Sequence, residues 1–266
     1  MSPAGRRPVA LVTGASSGIG LELARVAASR GHDLVLVARG ESALRALAGE
    51  LARDHGAAAH VVVADLALSD GPDRVVEAVE ALGLEVDVLV NNAGFGLYGD
   101  FLDTDLAIER DMIAVNVTAP TALANRFAIP MARRGRGRIL NVASTAAFQP
   151  GPRMAVYYAS KAYVLSLSLA LSVELAGTGV TVTCLAPGPV RTPFRERAQV
   201  SASRLFSGER GRQAEEVARA GWNALERGRR LAIPGMLNRV GATAAQVLPS
   251  GLAARVVAVL QPTERK

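Results

Sequence analysis

Seven short apolar runs recur along the chain, and segments long enough for a helix separate most of them. They are Val9–Thr13, Leu34–Ala38, His60–Ala64, Val86–Asn91, Arg138–Ala143, Val180–Ala186 and Arg230–Ile233. Strands that are apolar throughout must be covered on both faces, and helical crossovers do this for a parallel sheet. The pattern therefore predicts an α/β fold around a parallel sheet. No internal repeat, linker or low-complexity tract divides the 266 residues, which suit one domain over 1–266.

The first run leads directly into T-G-A-S-S-G-I-G, Thr13 to Gly20, and then a helical pattern. Glycines at 14, 18 and 20 allow a tight turn, close approach of backbone to a phosphate, and close packing of helix on strand. The helix would offer its free N–H groups and positive end to a pyrophosphate. The second run ends at Ala38-Arg39 with no carboxylate for a ribose 2′-hydroxyl. An arginine there suits a 2′-phosphate, or is simply a solvated loop charge. The third run ends in Asp65-Leu66 and the fourth in N-N-A-G, Asn91 to Gly94. Asp65 could equally cap a helix starting near Asp70, and Asn91 and Asn92 could tie two strand ends together. Asn116 falls in a helical stretch, a poor place for Asn unless its amide has a partner.

The stretch Ser144 to Lys161 reads as strand end, loop and helix start. Tyr157 and Lys161 are four apart, so on a helix they share one face. An ammonium beside a phenol favours the phenolate, so the expectation is a Tyr157 pKa lowered from about 10 and fit for acid–base work. Ser144, at the strand end, could hold a carbonyl oxygen beside it. Apart from the C-terminal residue, Lys161 is the only lysine in the chain.

T-G-A-S-S-G-I-G, N-N-A-G, Asn116, Ser144, Tyr157-x-x-x-Lys161 and P-G-P-V-R-T (Pro187 to Thr192) stand in the order and spacing of the short-chain dehydrogenase/reductase family. The chain resembles that family over roughly residues 9–192. The resemblance implies a Rossmann-type doubly wound parallel sheet, about seven strands with helices on both faces. It implies NADP(H)- or NAD(H)-dependent hydride transfer between nicotinamide and a carbonyl or alcohol carbon. Tyr157 would be the proton donor and acceptor, Lys161 would bind the nicotinamide ribose, Ser144 would hold the substrate oxygen, and Asn116 would anchor a water. Gly14, Ser16, Ser17, Gly18, Ile19 and Gly20 would cradle the pyrophosphate. Asp65 and Leu66 would meet the adenine side, and Asn92, Ala93 and Gly94 the ribose. Pro187, Gly188, Val190 and Thr192 would fix the nicotinamide. Arg39 favours NADP(H) over NAD(H), and so a reductase of an apolar ketone, aldehyde or acyl-type substrate. The alternative is a non-catalytic NADP-binding regulatory protein.

Other classes fit poorly. The net charge of +6 comes from scattered arginines without interleaved aromatics, which disfavours nucleic acid. One cysteine, Cys184, allows no internal disulfide and reads as a core thiol; His32, His55 and His60 lack metal-ligand spacing, so no metal is expected. The first apolar run is too short for a signal segment, no stretch is expected to cross a membrane, and a cytoplasmic setting follows. The resemblance implies that substrate choice sits in a loop at about 189–212; Phe95, Leu97, Tyr98, Phe148, Met154 and Phe194 would form either an apolar pocket or core. The arginine-rich part of that loop would be a solvated face, or would meet an acidic or acyl-carrier partner. Tyr158, at the wrong spacing from Lys161, reads as packing. The segment from Val156 to Leu175 is apolar nearly all round, which predicts a homodimer or homotetramer. A second apolar segment, about 235–260, would dock on its own domain, on another subunit, or on a membrane surface.

Overall fold

The computed structural model describes residues 6–194, 198 and 211–261. Its centre is a seven-stranded, wholly parallel sheet in the order β3-β2-β1-β4-β5-β6-β9. The strands are β1 Val9–Thr13, β2 Asp33–Ala38, β3 Ala59–Val63, β4 Val86–Asn91, β5 Gly137–Val142, β6 Val180–Leu185 and β9 Leu231–Ala232. All seven predicted strands are present, β1 and β4 at the predicted bounds and the other five shifted by one residue at one or both ends. A two-stranded ladder, β7 Val190–Arg191 with β8 Arg212–Gln213, closes the base of the expected substrate loop. Most of that loop lies outside the described residues.

Helices α1 Gly18–Ser29, α2 Glu41–His55 and α7 Ala214–Glu226 cover one face, sealing a core of Leu23, Leu36, Leu44 and Trp222. Helices α3 Gly71–Ala81 and α5 Ala119–Arg133 cover the other, over Leu11, Leu89, Phe127 and Ile139. α4 Leu106–Ile113 runs into α5 through one π-helical turn, Ala114–Thr118, and α6 Ala155–Glu174 lies against β5 and β6. The chain closes with α8 Met236–Val247 and α9 Ser250–Leu260, parted at Pro249.

Strand order reverses between β1 and β4, because β2 and β3 extend the sheet one way and β5, β6 and β9 the other. That switch leaves a crevice beyond the strand C-termini, the usual ligand site of open α/β sheets. One expectation needs correcting. By length and composition α6 is apolar enough to cross a membrane. One side of it, with Tyr157, Tyr158, Ser160, Lys161, Val164, Leu165 and Ser168, is buried within the domain.

Candidate active site

The crevice floor is a hydrogen-bonded joint between β1 and β4. Thr13, at the end of β1, is buried, and its Oγ1 accepts the backbone N–H groups of Asn92 (2.9 Å) and Ala93 (3.0 Å). In return the Asn92 amide donates to the Thr13 carbonyl at 2.9 Å. Asn92 thus ties strand ends together, and so does Asn91, whose amide donates to Asn141 of β5 at 2.9 Å. Above this joint the glycine turn needs its glycines. Gly14 and Gly18 have φ of +68° and +58°, values that suit glycine. A Cβ on Gly20 would lie 2.3 Å from both the Gly14 carbonyl oxygen and the Asn92 amide nitrogen. Gly20 therefore packs behind the turn, while Gly14, Ser16, Ser17, Gly18 and Ile19 line the cavity. No acidic side chain occupies the first turn of α1, which leaves its positive end facing that space.

At one end of the cavity Arg39 pairs with Asp65 at 3.8 Å, its side chain 72% exposed. Asp65 does not cap α3; its Oδ1 accepts the Ala67 N–H at 3.0 Å in a local turn. At the other end lie Ser144, Tyr157 and Lys161, all buried. Ser144 stands close enough to the Tyr157 hydroxyl to bear on its titration, and its Oγ accepts the Ala146 N–H at 3.1 Å. Lys161 Nζ donates to the Val142 carbonyl at 3.1 Å and lies 5.9 Å from the centre of the Tyr157 ring.

The expected lowering of the Tyr157 pKa is not found. Burial pushes the phenol up to about 12, and Ser144 offsets this only in part. Burial instead brings Lys161 down to about 8. The spacing placed both side chains on one face, but loss of solvent sets the direction of both shifts because both lie within the protein.

Asn116 does have its partners. Its Oδ1 accepts the Phe95 N–H at 3.1 Å, and its amide donates to the Phe95 carbonyl at 2.9 Å and to Ser160 Oγ at 3.0 Å. Ser160 Oγ in turn donates to the Tyr157 carbonyl at 2.7 Å. Asn116 sits behind the cavity wall, with Gly94 between it and Lys161: a Cβ on Gly94 would be 3.0 Å from Asn116 Oδ1 and 3.1 Å from Lys161 Nζ. Tyr158 packs as expected, edge-on to Tyr157, with its hydroxyl accepting from Gln261 at 3.0 Å.

One cavity of about 610 Å³ joins the two ends, within the range of ligand sites, ~300–1,000 Å³. Leu66, Asn92, Ala93, Gly94, Pro187, Gly188, Val190 and Thr192 line it as expected. Of the proposed aromatic wall, Phe95 and Phe194 face the cavity; Leu97, Tyr98 and Met154 pack around Tyr157, and Phe148 belongs to a separate cluster under α8. Thr13, Ser160 and Gln261 escaped the sequence reading. Thr13 had a signal, a hydroxyl at the strand end before the glycine turn, whereas Gln261 had none. An open helix N-terminus with glycines, a basic rim and the buried Ser144, Tyr157 and Lys161 opposite fit an extended dinucleotide.

A family model described as short chain dehydrogenase matches residues 8–202. The chain belongs to the short-chain dehydrogenase/reductase family. It is 41% identical over 188 residues to a Streptomyces coelicolor protein provisionally named a ketoacyl reductase, covering 70% of this chain and 72% of that one. Its fold superposes on a short-chain dehydrogenase from Sphingobium yanoikuyae in complex with NADPH, with a TM-score of 0.80 and 33% identity over 97% and 99% of the two chains. A family member from Burkholderia phymatum in complex with NAD gives 0.79 at 29% identity, over 89% and 92%. The chain is thus an oxidoreductase of this family, with a pyridine nucleotide as cofactor.

Proposed function

We propose that the protein is an NADP(H)-dependent reductase of an apolar ketone, aldehyde or acyl-type carbonyl, with Tyr157 as general acid and base. The observation that carries this reading is the convergence of Ser144, Tyr157 and Lys161 at one end of a cavity whose other end carries Arg39. A bound nicotinamide supplies the two electrons and the hydrogen delivered to carbon. The Ser144 hydroxyl and the Tyr157 phenol hold the carbonyl oxygen, and the phenol gives it a proton as negative charge develops there. Lys161 orients the nicotinamide ribose and returns positive charge to the site when the phenol is spent. Asn116 fixes the Phe95 backbone and, through Ser160, the first turn of α6. Phe95 and Phe194 exclude water from the reacting carbonyl and favour apolar substituents.

Arg39 supports the NADP(H) preference. Its exposed pair with Asp65 contributes little, ~0–1 kcal/mol. A charge-assisted contact to a 2′-phosphate contributes about 1.5–3 kcal/mol. Tyr163, Leu169 and Val173 leave an apolar strip of α6 open beside Ile113 and Ile129, which supports a homo-oligomer formed through this face. A strictly monomeric mass by light scattering would refute that part of the reading.

The test of function is NADPH and NADH oxidation by the purified protein across bulky ketones, aldehydes and β-ketoacyl thioesters. Carbonyl-dependent oxidation of NADPH, faster than of NADH, is expected. Tight NADPH binding without turnover on any carbonyl would favour a regulatory nucleotide-binding protein.

A further inference from the structure

We propose that the outward faces of α8 and α9 form a docking surface for an anionic lipid bilayer. At about 100° per residue, Met236, Leu237, Val240, Ala244 and Val247 fall within one arc of about 100° on α8, and Leu248, the residue after the helix, continues that side. All six are exposed, Leu237 at 88% and Val247 at 82%. Only Ala242 is fully buried, on the opposite side of that helix. On α9, Leu252, Val256, Val259 and Leu260 share a second exposed arc, while Ala253 and Val257 face the domain. Two consecutive helices that turn their broader apolar faces outward differ from singly scattered surface hydrophobes and mark an interaction site.

Charge decides the occupant. From Met236 to Leu260 there are two arginines and no Asp, Glu or Lys. Arg239 borders the arc of α8, its Nε donating to the Ile233 carbonyl at 2.9 Å, and Arg255 borders that of α9; neither forms an ion pair among the described residues. Apolar side chains flanked by arginines on stems long enough to reach headgroup phosphates are the pattern of an interfacial helix. A second copy would meet this surface poorly. A two-fold contact would set the same arginine-bordered stripes against each other, with no carboxylate in the segment to answer them.

The surface is also tied to the active site. Asn238 of α8 fills the space over Gly188, where a Cβ would meet its Oδ1 at 2.5 Å. Val257 of α9 packs in the cluster around Tyr157 and Tyr158. Arg153 donates to the carbonyls of Ala258 and Gln261 and pairs with Asp100, holding the end of α9 against the loop before α6. Among the described residues Arg153 is the one non-glycine with a positive φ, +67°, a strained geometry retained at this junction. The helix that would meet lipid on its outer face therefore packs on the catalytic cluster with its inner face. A carbonyl substrate dissolved in the bilayer would be delivered beside the cavity.

The experiment is flotation with two vesicle types, phosphatidylcholine mixed equally with phosphatidylglycerol, and phosphatidylcholine alone. Wild type should float with the mixed vesicles and much less with the neutral ones. Leu237→Asp/Val247→Asp, both at exposed positions, should bind the mixed vesicles at least about tenfold more weakly while keeping its melting temperature. Wild type left unbound, equal binding to both vesicle types, or an unaffected double variant would overturn the proposal. Loss of a larger mass by light scattering in the variant, with no vesicle binding by wild type, would assign the surface to a second copy.

Discussion

At the strand ends Thr13 and Asn92 join β1 to β4 through hydrogen bonds between side chain and backbone, and the glycine turn closes over them with no room for a side chain. On the far side of the same crevice, α8 and α9 touch the domain through residues such as Asn238, Ala242, Ala253, Val257 and Ala258, and leave most of their surface outside. The floor is built from backbone geometry and binds something of fixed shape. The cover is built from exposed side chains, which suits it to set substrate and location. A single fold can therefore hold one cofactor and serve many carbonyls.

The largest expected effect separates chemistry from both regions. Tyr157→Phe should keep cofactor binding and lose ~10²–10⁴-fold in turnover, checked by NADPH oxidation beside a fluorescence titration of the cofactor. Tyr158→Phe, which loses only the contact with Gln261, should stay near wild type. Similar losses in both variants would place the acid–base role elsewhere.

Thr13→Val tests the floor. Removing Oγ1 leaves the N–H groups of Asn92 and Ala93 without their acceptor, at about 1–3 kcal/mol for each buried group. A clear drop in the denaturant midpoint is expected, together with weaker binding of both NADPH and NADH. An unchanged midpoint would show that the joint is not what holds β1 to β4. Arg39→Ala should instead act selectively, lowering the preference for NADPH over NADH by about ten- to a hundredfold. Cofactor titrations giving an unchanged ratio would remove Arg39 from the site.

The smallest effect near neutrality is in pH dependence. Burial raises Tyr157 to about 12 and lowers Lys161 to about 8, so the phenol stays protonated while the lysine loses its charge first. Reductive kcat/KM, which reports groups of the free enzyme, should be full below about 8 and fall as pH rises through it. A profile flat to pH 10 would show that the Lys161 charge is not required.

Much of the fold and the cofactor end could be read from the sequence because both are backbone matters. Strands apolar on both faces demand a parallel sheet, and Gly14, Gly18 and Gly20 meet needs that few other residues satisfy. Tyr157 and Lys161 were found because four residues make one helical turn. What spacing could not convey was their burial, so the direction of the Tyr157 shift was misjudged. Gln261, Arg153 and Asn238 stayed hidden because their contacts join parts of the chain far apart in sequence. Phe148 and Phe194 show the same limit: one packs under α8 and the other faces the cavity, though both are aromatic residues near the strand ends.

The proposed reaction moves hydrogen between a nicotinamide and a carbonyl carbon in this cleft. It is tested most directly by offering NADPH deuterated at C4, in separate samples on either face, with a ketone that the protein consumes. Deuterium is expected on the carbinol carbon of the product from one face only, seen by mass spectrometry and NMR, with almost none formed by Tyr157→Phe in the same time. Cofactor bound in the cleft, with no deuterium reaching any carbonyl compound, would contradict it.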